Sequence, residues 1–301
     1  MGTKDITEKI LADYNDAFAD IINGVLFDGE QVVLENDLQN TKDKSQYKFN
    51  NQIHEQERDV TKHWIPHKII FALYGLEHQT DPDPFAPIRL IGYDGAAYRG
   101  QLTRTEQDKP RYPVITIILY FGSTRWNKPT HLYECLKIPK KLKPFVNDYK
   151  INLVEVAFLD DKLDYFHSDF RIIAEYFINK RKNIDYIPSP QEIRHVDEFL
   201  KLMQALEGDD RYEEVLHTLQ KEEKKEGINM SEVLDRIENR GIIIGEKRGE
   251  KRGREKMAYE INTLYATLLK QNRMEDLKRA IADPDYQRQL LIAYGISSEE
   301  D

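Results

Sequence analysis

Residues 112–122, which read YPVITIILYFG, constrain the fold of this chain more than any other segment. The run is short, rich in β-branched side chains, almost entirely apolar, and bounded by proline and glycine. A strand without a polar face must be covered on both sides, and helices commonly supply that cover. The run therefore predicts a buried central strand in an α/β architecture, in which a mixed central sheet is flanked by helices.

Other apolar patterns supply the remaining elements of that architecture. Two further segments read as strands: residues 68–79 and residues 151–159. Pro82 and Pro84 end the first of them, because proline cannot donate to a sheet ladder. Three segments carry apolar residues at helical spacing: residues 6–27, 87–104 and 164–180. We expect six side chains to be buried in central strands: Ile115, Ile117, Leu119, Leu153, Val154 and Val156.

The pattern changes after residue 189 and becomes entirely helical and highly charged. Three helices are predicted in this all-helical C-terminal extension: residues 191–206, 210–224 and 231–271. The sequence thus divides into three parts: an α/β core at residues 1–190, a helical segment at 191–240, and a charged glycine-repeat helix with C-terminal helices at 241–301.

A glycine repeat distinguishes the long C-terminal helix. Gly241, Gly245, Gly249 and Gly253 recur every four residues and therefore fall near one helical face. The repeat has three readings: a solvated charged helix, a helix that pairs with a second copy in a homodimer, and a basic arm that contacts nucleic acid.

Composition restricts the class of protein. The chain has 301 residues, 40% of them hydrophobic, which is ample for a buried core. It contains no apolar run of 18 residues and does not begin like a secretory signal, so we expect a soluble cytoplasmic protein with no membrane partner. Cys135 is the single cysteine and is expected in the core, which leaves no internal disulfide. The net charge of −9 weighs mildly against nucleic-acid binding.

Glu77 and Gln79 stand at the end of the apolar strand predicted at residues 68–79. Alternate strand residues share a face, so both side chains could reach one ligand. Asp59 lies upstream at a distance along the chain that allows a return on a neighbouring strand. Carboxylates are the ligands that magnesium prefers, so we expect Asp59 and Glu77 to lie within about 6 Å of each other and to share an ion.

Other ionisable residues offer further ligands. Asp16 and Asp20, four apart on the first predicted helix, could each add a carboxylate to the same ion. Four histidines suggest zinc instead: His54, His63, His67 and His78. We disfavour that reading because Pro66 interrupts the helical spacing between two of them and no cysteine assists.

Seven stretches carry a resemblance to a known family: residues 14–23 (YNDAFADIIN), 57–60 (ERDV), 75–80 (GLEHQT), 87–94 (PIRLIGYD), 112–116 (YPVIT), 148–153 (DYKINL) and 234–241 (LDRIENRG). Together they resemble the PD-(D/E)XK nuclease superfamily, and most closely its bacterial branch of recombination-promoting nucleases and putative transposases. The resemblance runs to about residue 253 and includes the glycine-repeat helix.

The resemblance implies a restriction-endonuclease-like core and assigns roles to the polar residues. Asp59 matches the central aspartate of the superfamily and Glu77 its glutamate, and both would bind Mg²⁺, for which Mn²⁺ can substitute. Gln79 stands where most members have lysine. An amide can orient water but cannot take its proton, so Lys62 or Lys68, or hydroxide held by the ion, would have to supply the base.

The predicted function is therefore a metal-dependent DNA endonuclease of the transposase type, in which Asp59, Glu77 and Gln79 are catalytic. Four basic residues are expected to hold DNA phosphates: Arg58, Lys62, Arg89 and Arg99. The main alternative is a DNA-binding or assembly protein that keeps the nuclease fold with weak or no catalysis. A third reading is a protein-binding scaffold built on the helical tail.

Overall fold

The computed structural model describes residues 9–41, 44–49, 52–57, 59–68, 70, 72–102, 110–184, 186–223 and 226–297. Within these ranges the description does not extend to the side chains of residues 9, 10, 44–49, 52–57, 68 and 244. The chain forms two compact units, residues 1–235 and residues 236–301. The divisions that the sequence predicts at residues 190 and 240 stay predictions.

The first unit is built on a mixed five-stranded sheet. Its strands are β1 (Leu38–Asn40), β4 (Val60–Trp64), β5 (Ala72–Gln79), β6 (Val114–Tyr120) and β7 (Asn152–Glu155), in the spatial order β1-β4-β5-β6-β7. Strands β1, β4 and β5 pair antiparallel, whereas β5, β6 and β7 run parallel. A separate antiparallel hairpin joins β2 (Lys44–Phe49) to β3 (Gln52–Glu57). The α/β prediction of a mixed sheet flanked by helices, with a helical C-terminal region, is confirmed.

Ten α-helices lie in the described residues: α1 (Lys9–Ala12), α2 (Asn15–Leu26), α3 (Ala86–Leu102), α4 (Leu132–Cys135), α5 (Asp169–Lys182), α6 (Val196–Glu207), α7 (Arg211–Lys221), α8 (Met230–Lys270), α9 (Met274–Ala282) and α10 (Pro284–Ala293). Short 3₁₀ turns occur at Glu35–Asp37, Pro66–Lys68, Lys143–Phe145, Val156–Phe158 and Asp160–Tyr165. Among these helices, none combines the length and the apolar content needed to cross a membrane.

The two faces of the sheet are covered by different helices. On one face, α3 packs Ala97 beside Leu73 and Leu90 beside Ile118. On the other face, α5 packs Phe177 against Phe121, and Phe18 of α2 lies against the Lys62 ammonium. Because strand residues alternate between faces, odd-numbered residues of β5 point toward α3 and even-numbered residues point toward α2 and α5. This alternation decides which polar residues meet.

The central strand is confirmed, but the prediction for residues 151–159 is partly wrong. Ile117, Leu119 and Val156 are fully buried. Three others, Ile115, Leu153 and Val154, are half-buried. The strand itself covers only Asn152–Glu155, and Val156 belongs to a 3₁₀ turn. Since β7 pairs with β6 alone among the described strands, it forms an edge of the sheet and its side chains are less covered than those of a central strand.

Two further expectations are corrected. The helix predicted at residues 6–27 is interrupted after Ala12, so that α1 and α2 are separate, and Asn15 begins the second helix. Cys135 is not a core residue but lies half-buried in the four-residue helix α4, with its Sγ 3.6 Å from the carbonyl oxygen of Pro84. The four-residue helix that carries it contains no buried residue, so the thiol has no place in the core.

The second unit is a small helical cluster. Six buried side chains from α8, α9 and α10 form its core: Leu264, Leu268, Leu277, Ala280, Leu290 and Leu291. In the glycine-repeat part of α8, residues 245–259 are exposed, and a Cβ placed on Gly245, Gly249 or Gly253 would meet no described atom within 4 Å. Among the described residues of this second unit, none packs against Gly245, Gly249 or Gly253.

Candidate active site

Glu77, Gln79 and Asp59 lie where two adjacent strands meet on the α3 side of the sheet. Glu77 and Gln79 are odd-numbered residues of β5 and share that face. Val60 pairs with Leu76 in the antiparallel register, so Asp59, one step before Val60, stands opposite Glu77. Alternation and register together thus bring the predicted trio to one place, although the predicted 6 Å separation of the carboxylates stays a prediction.

Glu77 is a buried carboxylate, 3% exposed, that pairs with an arginine. Arg89 of α3 donates from Nη1 to Glu77 Oε2 at 3.0 Å, and its Nε lies 3.2 Å from Asp83 Oδ2. Burial has the largest single effect on the pKa of Arg89 and lowers it, but Glu77, Tyr93 and Asp83 together outweigh burial and the pKa is raised. The guanidinium is therefore held as a fixed positive charge against Glu77.

Tyr93 lies one helical turn after Arg89, and both predicted metal ligands affect the pKa of its phenol. Burial raises the pKa of the Tyr93 phenol, and the negative charge of Glu77 raises it further. Arg89 acts in the opposite direction, and Asp59 again raises the pKa. Because electrostatic effects of this kind fall with distance, the two carboxylates and the Tyr93 hydroxyl share one neighbourhood.

Asp59 is fixed by the strand beside it. Its Oδ2 accepts a hydrogen bond from the backbone N–H of His78 at 2.9 Å and lies 3.7 Å from His78 Nδ1. The Asp59 side chain is 20% exposed, so one side of the carboxylate reaches solvent. A half-solvated carboxylate beside a buried one is an arrangement that a cation could bridge from outside.

Gln79 supplies the clearest sign of a missing partner. Its Oε1 is buried, yet it accepts no hydrogen bond from any residue that the structure describes. Asp59, Glu77 and Gln79 together offer hard oxygen donors, which suits Mg²⁺. No three His, Cys, Asp or Glu side chains converge as a metal site among the described residues. Since Mg²⁺ is commonly held by one or two carboxylates, with water and substrate phosphate completing its shell, this donor set fits.

Asp16 and Asp20 are used elsewhere, on the α2 side of the sheet. Asp20 Oδ2 accepts from the backbone N–H of Ser168 at 2.9 Å and from its hydroxyl at 2.7 Å, and it also accepts from the N–H of His167. Asp16 accepts from His195 Nε2 at 3.0 Å. The structure therefore does not bring either carboxylate to Glu77, and both instead tie α2 to elements far along the chain.

Lys62 also faces away from the trio. Its register partner is Tyr74, an even-numbered residue of β5, and its ammonium is fully buried. The Nζ donates to Asn15 Oδ1 at 2.7 Å and to Asn40 Oδ1 at 2.6 Å, besides the carbonyl of Asp13. Burial lowers the pKa of Lys62 to about 8. The lowered pKa would suit a base, but the ammonium lies on the wrong side of the sheet to receive a proton near Glu77.

The remaining predicted residues are dispersed. Arg58 lies outside the described residues, as does the side chain of Lys68. Arg99 is exposed on α3, two to three turns beyond Arg89. The proposed zinc histidines do not converge: His63 bonds the Tyr112 hydroxyl, His78 stacks on Phe121, and His67 is exposed, while the His54 side chain lies outside the description.

Sequence reasoning missed two members of the site, Asp83 and Tyr93. Asp83 caps the approach to α3, since its Oδ1 accepts from the N–H of Phe85 at 2.8 Å, while Oδ2 lies near Arg89. Tyr93 follows Arg89 by four residues, a spacing that places both on one helical face. That spacing was readable in the sequence, but the side of α3 that faces β5 was not.

Residues 67–210 match the sequence profile of a family described as "Putative transposase, YhgA-like". The matched range contains Glu77, Gln79, Arg89 and Tyr93, and Asp59 precedes it. No curated protein and no solved structure shows significant similarity to the chain.

Proposed function

We propose that this chain is a metal-dependent DNA endonuclease of the family of YhgA-like putative transposases, whose sequence profile residues 67–210 match. The observation that carries the proposal is the shared position of Asp59, Glu77 and Gln79 at the meeting of β4 and β5, with the Gln79 amide oxygen buried and lacking a donor among the described residues. Oxygen ligands that share one face of neighbouring strands suit a divalent ion that assists phosphodiester hydrolysis.

Asp59 and Glu77 would hold Mg²⁺, with Mn²⁺ as a substitute. The ion supplies positive charge against the phosphate and makes water easier to deprotonate at neutral pH. Gln79 orients the attacking water, because its amide oxygen accepts a hydrogen bond from that water. The water oxygen bonds to phosphorus while the bond from phosphorus to the leaving sugar oxygen breaks. The attacking water loses its proton to solvent and the leaving oxygen takes one from solvent, so one new strand end carries phosphate and the other a hydroxyl.

Arg89 has two roles in this account. Without an ion it neutralises Glu77, which would otherwise be a costly buried charge. With an ion at Glu77, the carboxylate would no longer need Arg89 as its counter-charge, and the guanidinium, 30% exposed, would be available to a phosphate oxygen. Lys62 is not assigned a role in proton transfer, because its ammonium lies on the opposite face.

The same ion pair favours a second candidate function. A glutamate already neutralised by an arginine needs no metal, and Gln79 stands where a lysine assists catalysis in most members of the superfamily. Both features suit a DNA-binding or assembly protein that keeps the nuclease fold with weak or no catalysis. Such a protein would bind duplex DNA whether or not Mg²⁺ is present.

Nicking of supercoiled plasmid by purified full-length protein separates the two candidates. We expect Mg²⁺-dependent or Mn²⁺-dependent nicking that falls by more than about 100-fold in Glu77→Gln and Asp59→Asn. Asp16→Asn is the matched control, since it removes the same charge from the other face. Nicking that is absent in every protein, with DNA binding intact, supports the silent alternative; equal nicking by wild type and Glu77→Gln contradicts the assigned site.

We propose in addition that the glycine face of α8 pairs two copies of the chain. The support is that residues 245–259 are exposed and that Gly245, Gly249 and Gly253 leave open space for a close partner. Light scattering should find a dimer that Gly249→Leu converts to monomer. If wild-type protein is monomeric at high concentration, the dimer proposal is wrong and the glycine face is solvated. In that case Gly249→Ala should stabilise the helix by about 1 kcal/mol.

A further inference from the structure

The loop between α4 and β7 is a strongly basic stretch of the first unit. Residues 136–146 read LKIPKKLKPFV and contain four lysines and no acidic residue, in a chain of net charge −9. We call this segment the lysine loop. Its lysines are Lys137, Lys140, Lys141 and Lys143, and all four are exposed. Large apolar side chains are exposed among them, most of all Phe145 at 84% and Leu142 at 54%.

Contacts at its two ends hold the lysine loop in a defined shape. The Tyr133 hydroxyl donates to the carbonyl of Val146 at 2.5 Å, and Lys143–Phe145 forms a 3₁₀ turn. The acidic residues that flank the loop in the sequence hold its two ends: Glu134 accepts from the N–H of Thr130, and Asp148 accepts from the N–H of Tyr133 and pairs with a histidine.

The start of the lysine loop lies near the candidate active site. Helix α4 packs against α3, the helix that carries Arg89 and Tyr93. Cys135, the last residue of α4, has its Sγ 3.6 Å from the carbonyl oxygen of Pro84, the residue after Asp83. The first loop residue follows Cys135, which contacts Pro84, and Pro84 is the neighbour of Asp83, whose carboxylate contacts Arg89.

From this placement we infer that the lysine loop is the surface that grips duplex DNA beside the cleavage site. The four ammonium groups bind backbone phosphates, and Phe145 inserts as an apolar wedge against the minor groove. The inference rests on the proposed function, because basic residues around exposed Phe and Leu also suit an anionic membrane surface. The nearby Asp59 and Glu77 site, which suits a phosphodiester, favours DNA.

Binding of a labelled 30-base-pair duplex, measured by fluorescence anisotropy in EDTA across a range of salt, tests the inference without cleavage. One variant changes the four loop lysines to glutamine. The matched control removes the same charge from α8 by changing Lys247, Arg248, Lys251 and Arg252 to glutamine. We expect the loop variant to lose at least about 10-fold in affinity and to reduce the slope of log affinity against log salt by about 3 to 4.

The control should keep most of its affinity, since Glu246, Glu250 and Glu255 stand among these four cations and Lys251 already lies 3.9 Å from Glu255. Phe145→Ala removes a side chain that is 84% exposed and contributes little to folding. We expect it to weaken duplex binding by about 3- to 10-fold with an unchanged salt slope, because a wedge releases no counterions.

Three results would overturn the inference: duplex binding equal in the wild type and the loop variant, an equal loss in the α8 control, or wild-type binding to phosphatidylserine vesicles but not to duplex. Failure of the proposed function looks different. If duplex binding depends on the lysine loop but no metal-dependent nicking occurs, the endonuclease assignment is wrong and the DNA-binding role of the loop stands. If nicking does not depend on the loop, only the DNA-binding role of the loop is wrong.

Discussion

Two pairs of acidic residues lie on opposite faces of the same sheet and are used in different ways. On the α2 face, Asp16 and Asp20 accept hydrogen bonds from a histidine and from the amides at the start of α5. On the α3 face, Glu77 is neutralised by an arginine side chain, and Asp59 accepts one backbone amide while remaining part-solvated. Asp20 is bound by backbone amides, which cannot leave, whereas the partner of Glu77 is a long side chain, which can. Glu77 can therefore exchange its arginine for an ion, with the part-solvated Asp59 beside it.

The comparison also explains why a lowered pKa is a poor guide to chemistry here. Lys62 is fully buried and has its pKa lowered to about 8, which resembles a catalytic lysine. Its donors, however, are used by Asn15, Asn40 and a backbone carbonyl. It lies on the face of Asp16 and Asp20, where it joins α2 to β1 and β4.

The largest effect on stability should come from removing a carboxylate on the α2 face. Asp20→Ala leaves the amides of His167 and Ser168 and the Ser168 hydroxyl without their acceptor, so we expect a loss of about 2 to 4 kcal/mol in the free energy of unfolding. Urea unfolding measures this loss. Nicking per folded molecule should not change. A fully folded Asp20→Ala protein with no nicking would place this carboxylate in the chemistry and end the distinction between the faces.

The next effect concerns Lys62 and pH. Its folded pKa of about 8 lies below the ordinary value of 10.5, so between these values the unfolded chain binds the extra proton. The contribution of Lys62 to stability therefore rises as pH increases through this window, by up to about 3 kcal/mol. Unfolding free energies of wild type and Lys62→Met at pH 8, 9 and 10 should diverge in favour of wild type.

Tyrosines and other titrating groups are common to both proteins and cancel in that difference. Parallel pH profiles would mean that Lys62 keeps an ordinary pKa in the folded protein. A loss of nicking in Lys62→Met at unchanged stability would make it the base after all, despite its position.

The smallest effect should be found at Arg89. Arg89→Gln removes the cation that competes for Glu77, so Mn²⁺ should bind about 3- to 10-fold more tightly, measured as a larger rise in melting temperature on addition of the ion. The ion-free variant should be less stable than wild type, because Glu77 is then buried without its partner. Arg99→Gln, on an exposed part of the same helix, is the control. Weaker Mn²⁺ binding in Arg89→Gln would show that the arginine assists the ion instead of replacing it.

Much of the fold could be predicted from the sequence because it depends on local patterns. The apolar run at residues 112–122 became the central strand Val114–Tyr120, and helical spacing located α3 and α8 to within a few residues. The common face of Glu77 and Gln79 also followed from local rules, since alternation along a strand needs no knowledge of distant residues.

The remaining features depend on partners far along the chain. Asp16 and Asp20 meet residues 179 and 147 positions away, so their structural role carries no local signal. The edge position of Asn152–Glu155 depends on the absence of a further strand in the described sheet. The contact of Arg89 with Glu77 needs the rotation of α3 over β5, which the spacing of Arg89 and Tyr93 restricts but does not fix.

The central claim is that the Asp59 and Glu77 face, and not the Asp16 and Asp20 face, takes a divalent cation. Anomalous diffraction from crystals of the full-length protein soaked in Mn²⁺ tests it most directly. The account predicts a peak bridging the carboxylates of Asp59 and Glu77, with oxygen ligands at about 2.0 to 2.6 Å and Arg89 turned away from Glu77. A peak at Asp16 and Asp20, or Arg89 still paired with Glu77 and no peak beside it at saturating Mn²⁺, would contradict it.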